Sequence, residues 1–493
     1  MNDILLAIDL GTTRLKVAAF TPDGTLQHLR ARRHRDQDAS DNLFTARAVD
    51  AEAPPTDPTR ATVQDPDAWW LDCIDLVRAV RDACSPCRVL GLSLSGRSGA
   101  GIFCDAAGEV LVRPWSDARH RQAERGLREH PAGRGTPPYT TALAGKFLWL
   151  RTAAPHVAAR VRHAFHAKDF LLFRLTGQRL TDWSTGPDGP RWPRALFQAF
   201  DLPESLLPTP ALPWSVAGTL TSSAAEALGL PTDTPVAVGA HDGICANVGA
   251  GATRPGSCAI TLGTNAVVRQ VRAQAAVDAP RFYGLPPDRH IIGGDALLGG
   301  RAADWYLDLI GIPEAERESA FAARDAAAGR IPFGADGVRF LPYLGGQVAP
   351  RARRGVRAAF TGLGIGHGGD HAWRAVLEGT GCAVRAIYDD LTDRCGPPDR
   401  VRLTGSGARS ALWRQILADL IGRPLEYSDA AVEARGAAIF LAVALGLHPD
   451  IDTAADTMVP VRGEVVPERT AAAAALYADW RNWDRALDAV SAD

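Results

Sequence analysis

One design occurs twice in this chain: an apolar strand that stops at a Leu-Gly-Thr turn and comes back as a second apolar strand. The first copy runs from Leu5 to Asp9, turns through Leu10-Gly11-Thr12-Thr13 and returns over Leu15 to Phe20, carrying Lys16. The second runs from Ala259 to Leu262 and turns through Gly263-Thr264-Asn265. Glycine tolerates positive φ, which lets backbone N–H groups converge on an anion, and the hydroxyls that follow add donors. Such a turn can hold a phosphate. An ordinary β-hairpin accounts for one copy, but not for two copies with Asp9 in the first and Asp242 shortly before the second. The pair predicts two related halves that face one another across a cleft and grip one polyphosphate from both sides.

At 493 residues the chain exceeds one ordinary core, and the expected division is 1–246 and 247–493. Hydrophobic residues at 46% and charged residues at 22% are globular values, and a net charge of −2 lacks the basic footprint that nucleic acid requires. No apolar run is long enough to cross a bilayer, and the N-terminus lacks a basic region and a signal-type cleavage site, so a cytoplasmic protein is expected. Among the eight cysteines only Cys84-Ser-Pro-Cys87 has metal-like spacing, with no second pair, and it reads as reduced thiols at a helix end. Lys occurs at three positions, Lys16, Lys146 and Lys168, in a chain that otherwise writes Arg. Those are candidate places for a compact ammonium.

In order, a polar segment from Arg30 to Asp65 reads as loop plus an edge strand. Asp65-Pro66 then starts a helix with Trp70, Cys73, Ile74, Val77 and Val80 on one face. Val89 to Leu94 is a buried-type strand that exits into Ser95-Gly96-Arg97-Ser98-Gly99. Gly91 to Ser98 imitates a P-loop, but Gly91 lies inside the strand and Arg97 replaces its Lys, so that reading is rejected. A strand exit is still where α/β sheets bind ligands, which makes Arg97 and Ser98 candidate substrate contacts. Trp115-x-Asp117-x-Arg119 suits a polyhydroxylated ligand, or equally a buried Trp beside a structural ion pair. Lys146 to Trp149 and Lys168-Asp169-Phe170 read as helical packing, with Gly177 as a helix stop. Further on come a Gly-rich bend, Gly293-Gly294 to Gly299-Gly300-Arg301, and a strand end at Leu341. A long helix, Asp370 to Leu391, contains Gly379 and Gly381, two costly residues that imply close contact with a neighbour or ligand.

Val401 to Leu403 then leads through Gly405-Ser406-Gly407-Ala408-Arg409-Ser410 into an amphipathic helix, Ala411 to Ile421. With Glu426 downstream this loop imitates a dinucleotide fingerprint and supports an NAD-linked oxidoreductase. It comes late in the chain, however, and leaves both Leu-Gly-Thr turns unexplained. A nucleoside loop, with glycines that let backbone pass close to base and ribose, explains more.

Taken together, Asp9 to Thr13 with Lys16, Gly239-Ala240-His241-Asp242-Gly243, Thr261 to Asn265, and Gly405 through Ile416, with the Gln64-Asp65-Pro66 helix start, the Trp115-x-Asp117-x-Arg119 cluster and Lys168-Asp169-Phe170, resemble the FGGY carbohydrate kinases, and the resemblance spans essentially the whole chain. It implies an α/β, two-domain actin-like ATPase (ribonuclease H-like) fold with a central cleft. The sugar would lie on the N-terminal side and the nucleotide on the C-terminal side. It also implies ATP and Mg²⁺, with Asp242 as the base that deprotonates the attacking hydroxyl and Asp9 near the metal. Gly11, Thr12, Thr13 and Lys16 with Gly263, Thr264 and Asn265 would hold phosphates. Gly405, Ser406, Gly407, Ala408, Ser410 and Gln415 would contact the nucleoside, and Arg97, Ser98, Trp115, Asp117 and Asp242 the acceptor. His241 is the alternative base. The implied partner is a small sugar or polyol, and a homodimer is left open.

Xylulose and gluconate kinases typically carry Gln-Met-His where this chain has Arg97-Ser98-Gly99, and Gly-Glu-Arg-x-x-Pro where it has Gly346-Gln347-Val348-Ala349-Pro350. Neither change touches the phosphate machinery. The expected activity is therefore ATP-dependent phosphorylation of a pentulose such as D-xylulose, with a glycerol-, polyol- or gluconate-type acceptor as the alternative. An NAD-linked oxidoreductase and a sugar-sensing protein on a kinase scaffold are the rival classes.

Overall fold

The apolar run from Ile4 to Leu10 is buried along its whole length, as a strand covered on both faces must be. In the computed structural model, which describes residues 2–38, 43–48, 62–185, 189–274, 281–353, 355–428 and 431–490, it forms the strand Asn2–Leu10. That strand pairs antiparallel with Arg14–Phe20 and parallel with Cys87–Gly96. Leu26–Arg33, Val216–Thr219, Pro235–Ala237 and Ala240–His241 complete a seven-stranded sheet. The second hairpin repeats the plan: Ser257–Leu262 pairs antiparallel with Ala266–Arg272 and parallel with Arg400–Thr404, in another seven-stranded sheet. The duplication read from the two turns is thus a duplication of topology.

By internal contacts the chain forms two units. One comprises Met1–Gly249, Gly284–Pro287 and Glu433–Met458; the other comprises Ala250–Tyr283, Asp288–Val432 and Val459–Asp493. Each has its own hydrophobic core. In the first, the sheet packs against the helix Pro66–Ala83, whose start follows from sequence: the Asp65 side chain accepts the Asp67 N–H at 3.0 Å and Pro66 takes the first position. Its buried stripe is Trp69, Cys73, Leu76, Val77 and Val80. Trp70 and Ile74, expected inside, lie one position further round the helix and are half-buried. Sinking a side chain the size of Trp69 contributes roughly 2–3 kcal/mol.

Cys84 follows the helix end, and its thiol and that of Cys87 are free, as expected. The segment after Arg30 supplies Leu26–Arg33, Asp36–Asp38 and Thr62–Gln64; the remainder of that expectation lies partly outside the described residues. In the second unit the long helix spans Gly369–Cys395. A Cβ on Gly379 would meet the Phe340 carbonyl oxygen at 2.1 Å and one on Gly381 the Leu420 side chain at 2.6 Å, so these glycines admit protein neighbours rather than a ligand. Of the expected Gly-rich bend from Gly293 to Arg301, Gly293-Gly294 belong to the strand Arg289–Asp295, where Gly294 makes room for Ile387 of the long helix, and the chain bends after Asp295, before the helix Gly300–Leu309.

Candidate active site

Sheet register builds the first acidic position. Asp9 lies opposite Lys16 across the hairpin and beside Ser95 on the parallel strand. The carboxylate accordingly accepts from Ser95 Oγ at 2.8 Å, and Lys16 Nζ lies 3.0 Å from its other oxygen. Asp9 is 1% exposed, and Lys16 also reaches Glu433 at 3.4 Å. Two carboxylates hold the Lys16 ammonium well above its ordinary pKa, while burial pushes the Glu433 carboxyl up. Glu433 escaped the sequence reading. No local pattern marks it, and it joins the first unit only through the returning segment 433–458.

Strand Ala240–His241 pairs with Ser95 and Gly96, so Asp242 emerges at the carboxyl end of the same strand that supports Asp9. Asp242 does not lie in a small-residue loop, as expected; it opens the helix Asp242–Gly249. His241 is 4% exposed, its ring lies 4.8 Å from Tyr139, and its Nδ1 accepts the Gly243 N–H at 2.9 Å. The imidazole is therefore committed locally, whereas the Asp242 side chain is 29% exposed.

Neither Gly11 nor Gly263 adopts positive φ, contrary to expectation. The turns gain outward donors by a different route. In the first, the Gly11 carbonyl accepts from His34 Nε2 at 3.0 Å, the Thr12 carbonyl from Gln64 Nε2 at 3.2 Å and the Thr13 carbonyl from His34 N at 2.9 Å. In the second, Gly300 N donates to the Gly263 carbonyl at 2.6 Å, and Gly299 N and Arg301 N donate to that of Thr264. A trans peptide points the next N–H opposite to its carbonyl. With the carbonyls drawn inward, the N–H groups of Thr12, Thr13, Thr264 and Asn265 face outward, beside the exposed side chains of Thr12, Thr13 and Thr264. Asn265 Nδ2 donates to Asp295 at 3.0 Å.

On the expected acceptor side, the Arg97 guanidinium donates to Gln64 Oε1 and lies over Trp69 at 5.3 Å. Ser98 Oγ is buried with no hydrogen-bond partner among the described residues. His166 Nδ1 accepts the Gly99 N–H at 2.8 Å, and burial followed by Lys168 holds this imidazole down to about 3, so it stays neutral. Trp115 is 4% exposed, and Asp117 forms an ion pair with Arg119, Nε to Oδ1 at 2.6 Å. Lys146, read as packing, bridges the two segments instead: Nζ donates to the Ala100 carbonyl at 2.7 Å and the Trp115 carbonyl at 2.8 Å. Burial, then Arg97, lowers its pKa to about 7. Lys168 is wholly buried between Asp169 and Asp182. Each of the three lysines thus has partners suited to a compact ammonium.

In the second unit Ser410 caps the helix Ala411–Ile421 by accepting the Trp413 N–H at 2.9 Å. Gly405, at φ +96°, carries the loop past Leu262: a Cβ there would meet the Leu262 carbonyl carbon at 2.5 Å. Gly407 is similarly pressed against the Leu262 side chain, so both glycines bind the loop to the second turn rather than opening it. Ser406 and Ala408 lie in the short helix Ser406–Arg409 between them, and Gln415 Nε2 donates to Asp419 and to the Val466 carbonyl.

Residues 4–249 match the N-terminal domain and residues 256–445 the C-terminal domain of the FGGY family of carbohydrate kinases. The chain belongs to that family. This FGGY kinase is 31% identical to the xylulose kinase of Escherichia coli (strain K12) over 385 residues, covering 74% of this chain and 77% of the relative. It is 25% identical to the gluconokinase of Bacillus subtilis (strain 168), over 85% and 83%. The gluconate kinase structure from Lactobacillus acidophilus superposes with a TM-score of 0.82 at 20% identity, over 100% of this chain and 99% of that one. The fold is the two-domain actin-like one, and the enzyme is a phosphotransferase with an alcohol group as acceptor. The oxidoreductase reading of the Gly405 loop falls with that assignment. Among the described residues no helix is long and apolar enough to cross a membrane.

Proposed function

We propose that this FGGY kinase transfers the γ-phosphoryl group of ATP to a hydroxyl of a pentulose such as D-xylulose. The observation that carries the proposal is the contrast at residues 241 and 242: a buried imidazole whose Nδ1 lies 2.9 Å from Gly243 N and 3.1 Å from Asp242 Oδ1, beside a partly exposed carboxylate. Phosphoryl transfer asks the protein for positioning, charge stabilisation and one acceptor for the hydroxyl proton. Asp242 is that acceptor. As the acceptor oxygen bonds to phosphorus, its proton passes to an Asp242 oxygen and the bond to the ADP oxygen breaks. In the first unit Thr12 and Thr13 offer outward N–H groups to phosphate oxygens; in the second, Thr264 and Asn265 offer theirs, and the loop at Ser406 to Ser410 with Gln415 takes the nucleoside.

The donor set fits Mg²⁺. Asp9 brings a carboxylate to the first turn, and Mg²⁺ keeps most of its water and takes one or two carboxylates with phosphate oxygens. Asp9 is the carboxylate to hold it, directly or through water. When bound, the ion neutralises charge on the phosphate oxygens. Lys16 balances Asp9 and Glu433 in the same place.

A sugar-acid or polyol acceptor is the second reading, favoured by the Arg97 guanidinium at the strand exit. A coupled ADP-release screen with D-xylulose, D-gluconate and glycerol decides. Turnover of D-xylulose with the largest kcat/KM is expected; preference for D-gluconate or glycerol transfers the assignment to the second reading. Binding without product in every case overturns the kinase activity in favour of a sensing role.

A further inference from the structure

Gln64 belongs to two parts of the first unit at once. Its Oε1 accepts from Arg97 Nη2, and its Nε2 donates to the Thr12 carbonyl at 3.2 Å. The amide cannot be reversed, because a guanidinium only donates and a carbonyl only accepts. The residue is 7% exposed at the end of the strand Thr62–Gln64, with its own N–H on the Pro114 carbonyl at 3.2 Å, and the next residue caps the helix Pro66–Ala83. The side chain therefore starts from fixed backbone. Arg97 lies over the Trp69 ring and His34 lies 5.8 Å from that ring, so guanidinium and imidazole share one aromatic support.

We infer that Gln64 is a positioning residue that couples the acceptor loop to the first phosphate turn. The oxygen that orients Arg97 and the nitrogen that draws in the Thr12 carbonyl belong to one planar amide. Moving Arg97 moves the peptide whose N–H, that of Thr13, faces outward. This rests on the proposed roles of Arg97 at the acceptor and of Gly11 to Thr13 at phosphate. In the sequence Gln64 belongs to Gln64-Asp65-Pro66, one of the stretches that resemble the family, but there it reads as a helix start and not as this coupling.

The test compares wild type, Gln64→Met and Gln64→Glu in the full chain. Affinity for adenylyl imidodiphosphate with Mg²⁺ is read by calorimetry, and KM for whichever of D-xylulose, D-gluconate and glycerol the wild type phosphorylates is read by ADP release. Gln64→Met loses both bonds and is expected to weaken both constants, each about threefold to tenfold, the range for one hydrogen bond. Gln64→Glu keeps an oxygen for Arg97 but places a lone pair against the Thr12 carbonyl. It should weaken the nucleotide analogue about tenfold and leave the acceptor KM within about twofold of wild type. Nucleotide affinity unmoved in Gln64→Glu overturns the coupling, as does a Gln64→Met chain with lowered kcat and both constants unchanged. Should Gln64→Met fail to fold, Gln64→Glu decides alone. Wild type that neither binds the analogue nor phosphorylates any acceptor overturns the kinase proposal itself, and the coupling with it.

Discussion

Lys16 Nζ lies 3.0 Å from Asp9 and 3.4 Å from Glu433, so one ammonium is shared by two carboxyl groups contributed by opposite ends of the chain. Replacing it with Met leaves Asp9, 1% exposed, without its cation. Lys16→Met is expected to destabilise the protein by about 2 kcal/mol, less than the roughly 3–5 kcal/mol of a fully buried pair, because the lysine is partly solvated. The double variant Lys16→Met/Glu433→Gln should recover part of that loss. Denaturant titration of the single and double variants checks both statements, and purely additive losses would remove Glu433 from the network.

Asp242→Asn keeps shape and removes the proton acceptor. Turnover is expected to fall by a factor on the order of 10²–10⁴, with nucleotide binding preserved. His241→Gln should lose less than about tenfold, since general-base effects of 10²–10⁴ belong to the residue that takes the proton. Equal losses in the two variants would contradict the assignment.

Lys146 carries a pH dependence of stability. Its pKa in the folded protein is lowered to about 7 from an ordinary 10.5, so between those values the unfolded chain binds more protons than the native one. Stability from this group must then rise with pH across that window, by roughly 1 kcal/mol per pH unit. A neutral amine still donates to both the Ala100 and Trp115 carbonyls, so the bridge survives deprotonation. Unfolding free energies at pH 7, 8 and 9 for wild type and Lys146→Met should diverge with that slope. Parallel curves would show that the lysine does not titrate there.

Gly299 backs the second turn. A Cβ at this position would lie 2.7 Å from the Gly263 oxygen and 2.8 Å from the Asn265 carbonyl carbon. Gly299→Ala must therefore displace the turn, and a strain of roughly 1–3 kcal/mol should appear as an increase of about tenfold or more in KM for MgATP, with acceptor KM nearly unchanged. Steady-state kinetics with each substrate varied in turn separates the two.

The duplicated hairpins were legible because period and turn chemistry are local: Leu10-Gly11-Thr12 and Leu262-Gly263-Thr264 announce themselves within a dozen residues. The caps at Asp65 and Gly177 were legible for the same reason. How the turns work was not. Gly11 and Gly263 suggested positive φ, but the outward donors come from His34, Gln64, Gly299 and Gly300 pulling carbonyls back. Those partners are set by tertiary packing at separations no window spans. Glu433 and the bridging role of Lys146 were invisible for the same reason, while Trp115 and Asp117 carried two readings.

The strand order of biosynthesis is not the order of assembly in this enzyme. A Cβ on Gly436 would strike the Cys245 carbonyl oxygen at 2.0 Å, so the helix Val432–Ala444 is seated directly on the helix that Asp242 opens, and Arg435, wholly buried, covers Phe20. A ribosome that has finished residue 249 has therefore not yet made the lid of the first unit. That unit waits for nearly the entire message to be translated, and a gene fragment ending at the sequence midpoint would deliver it incomplete, whereas the other half carries every segment of the second unit.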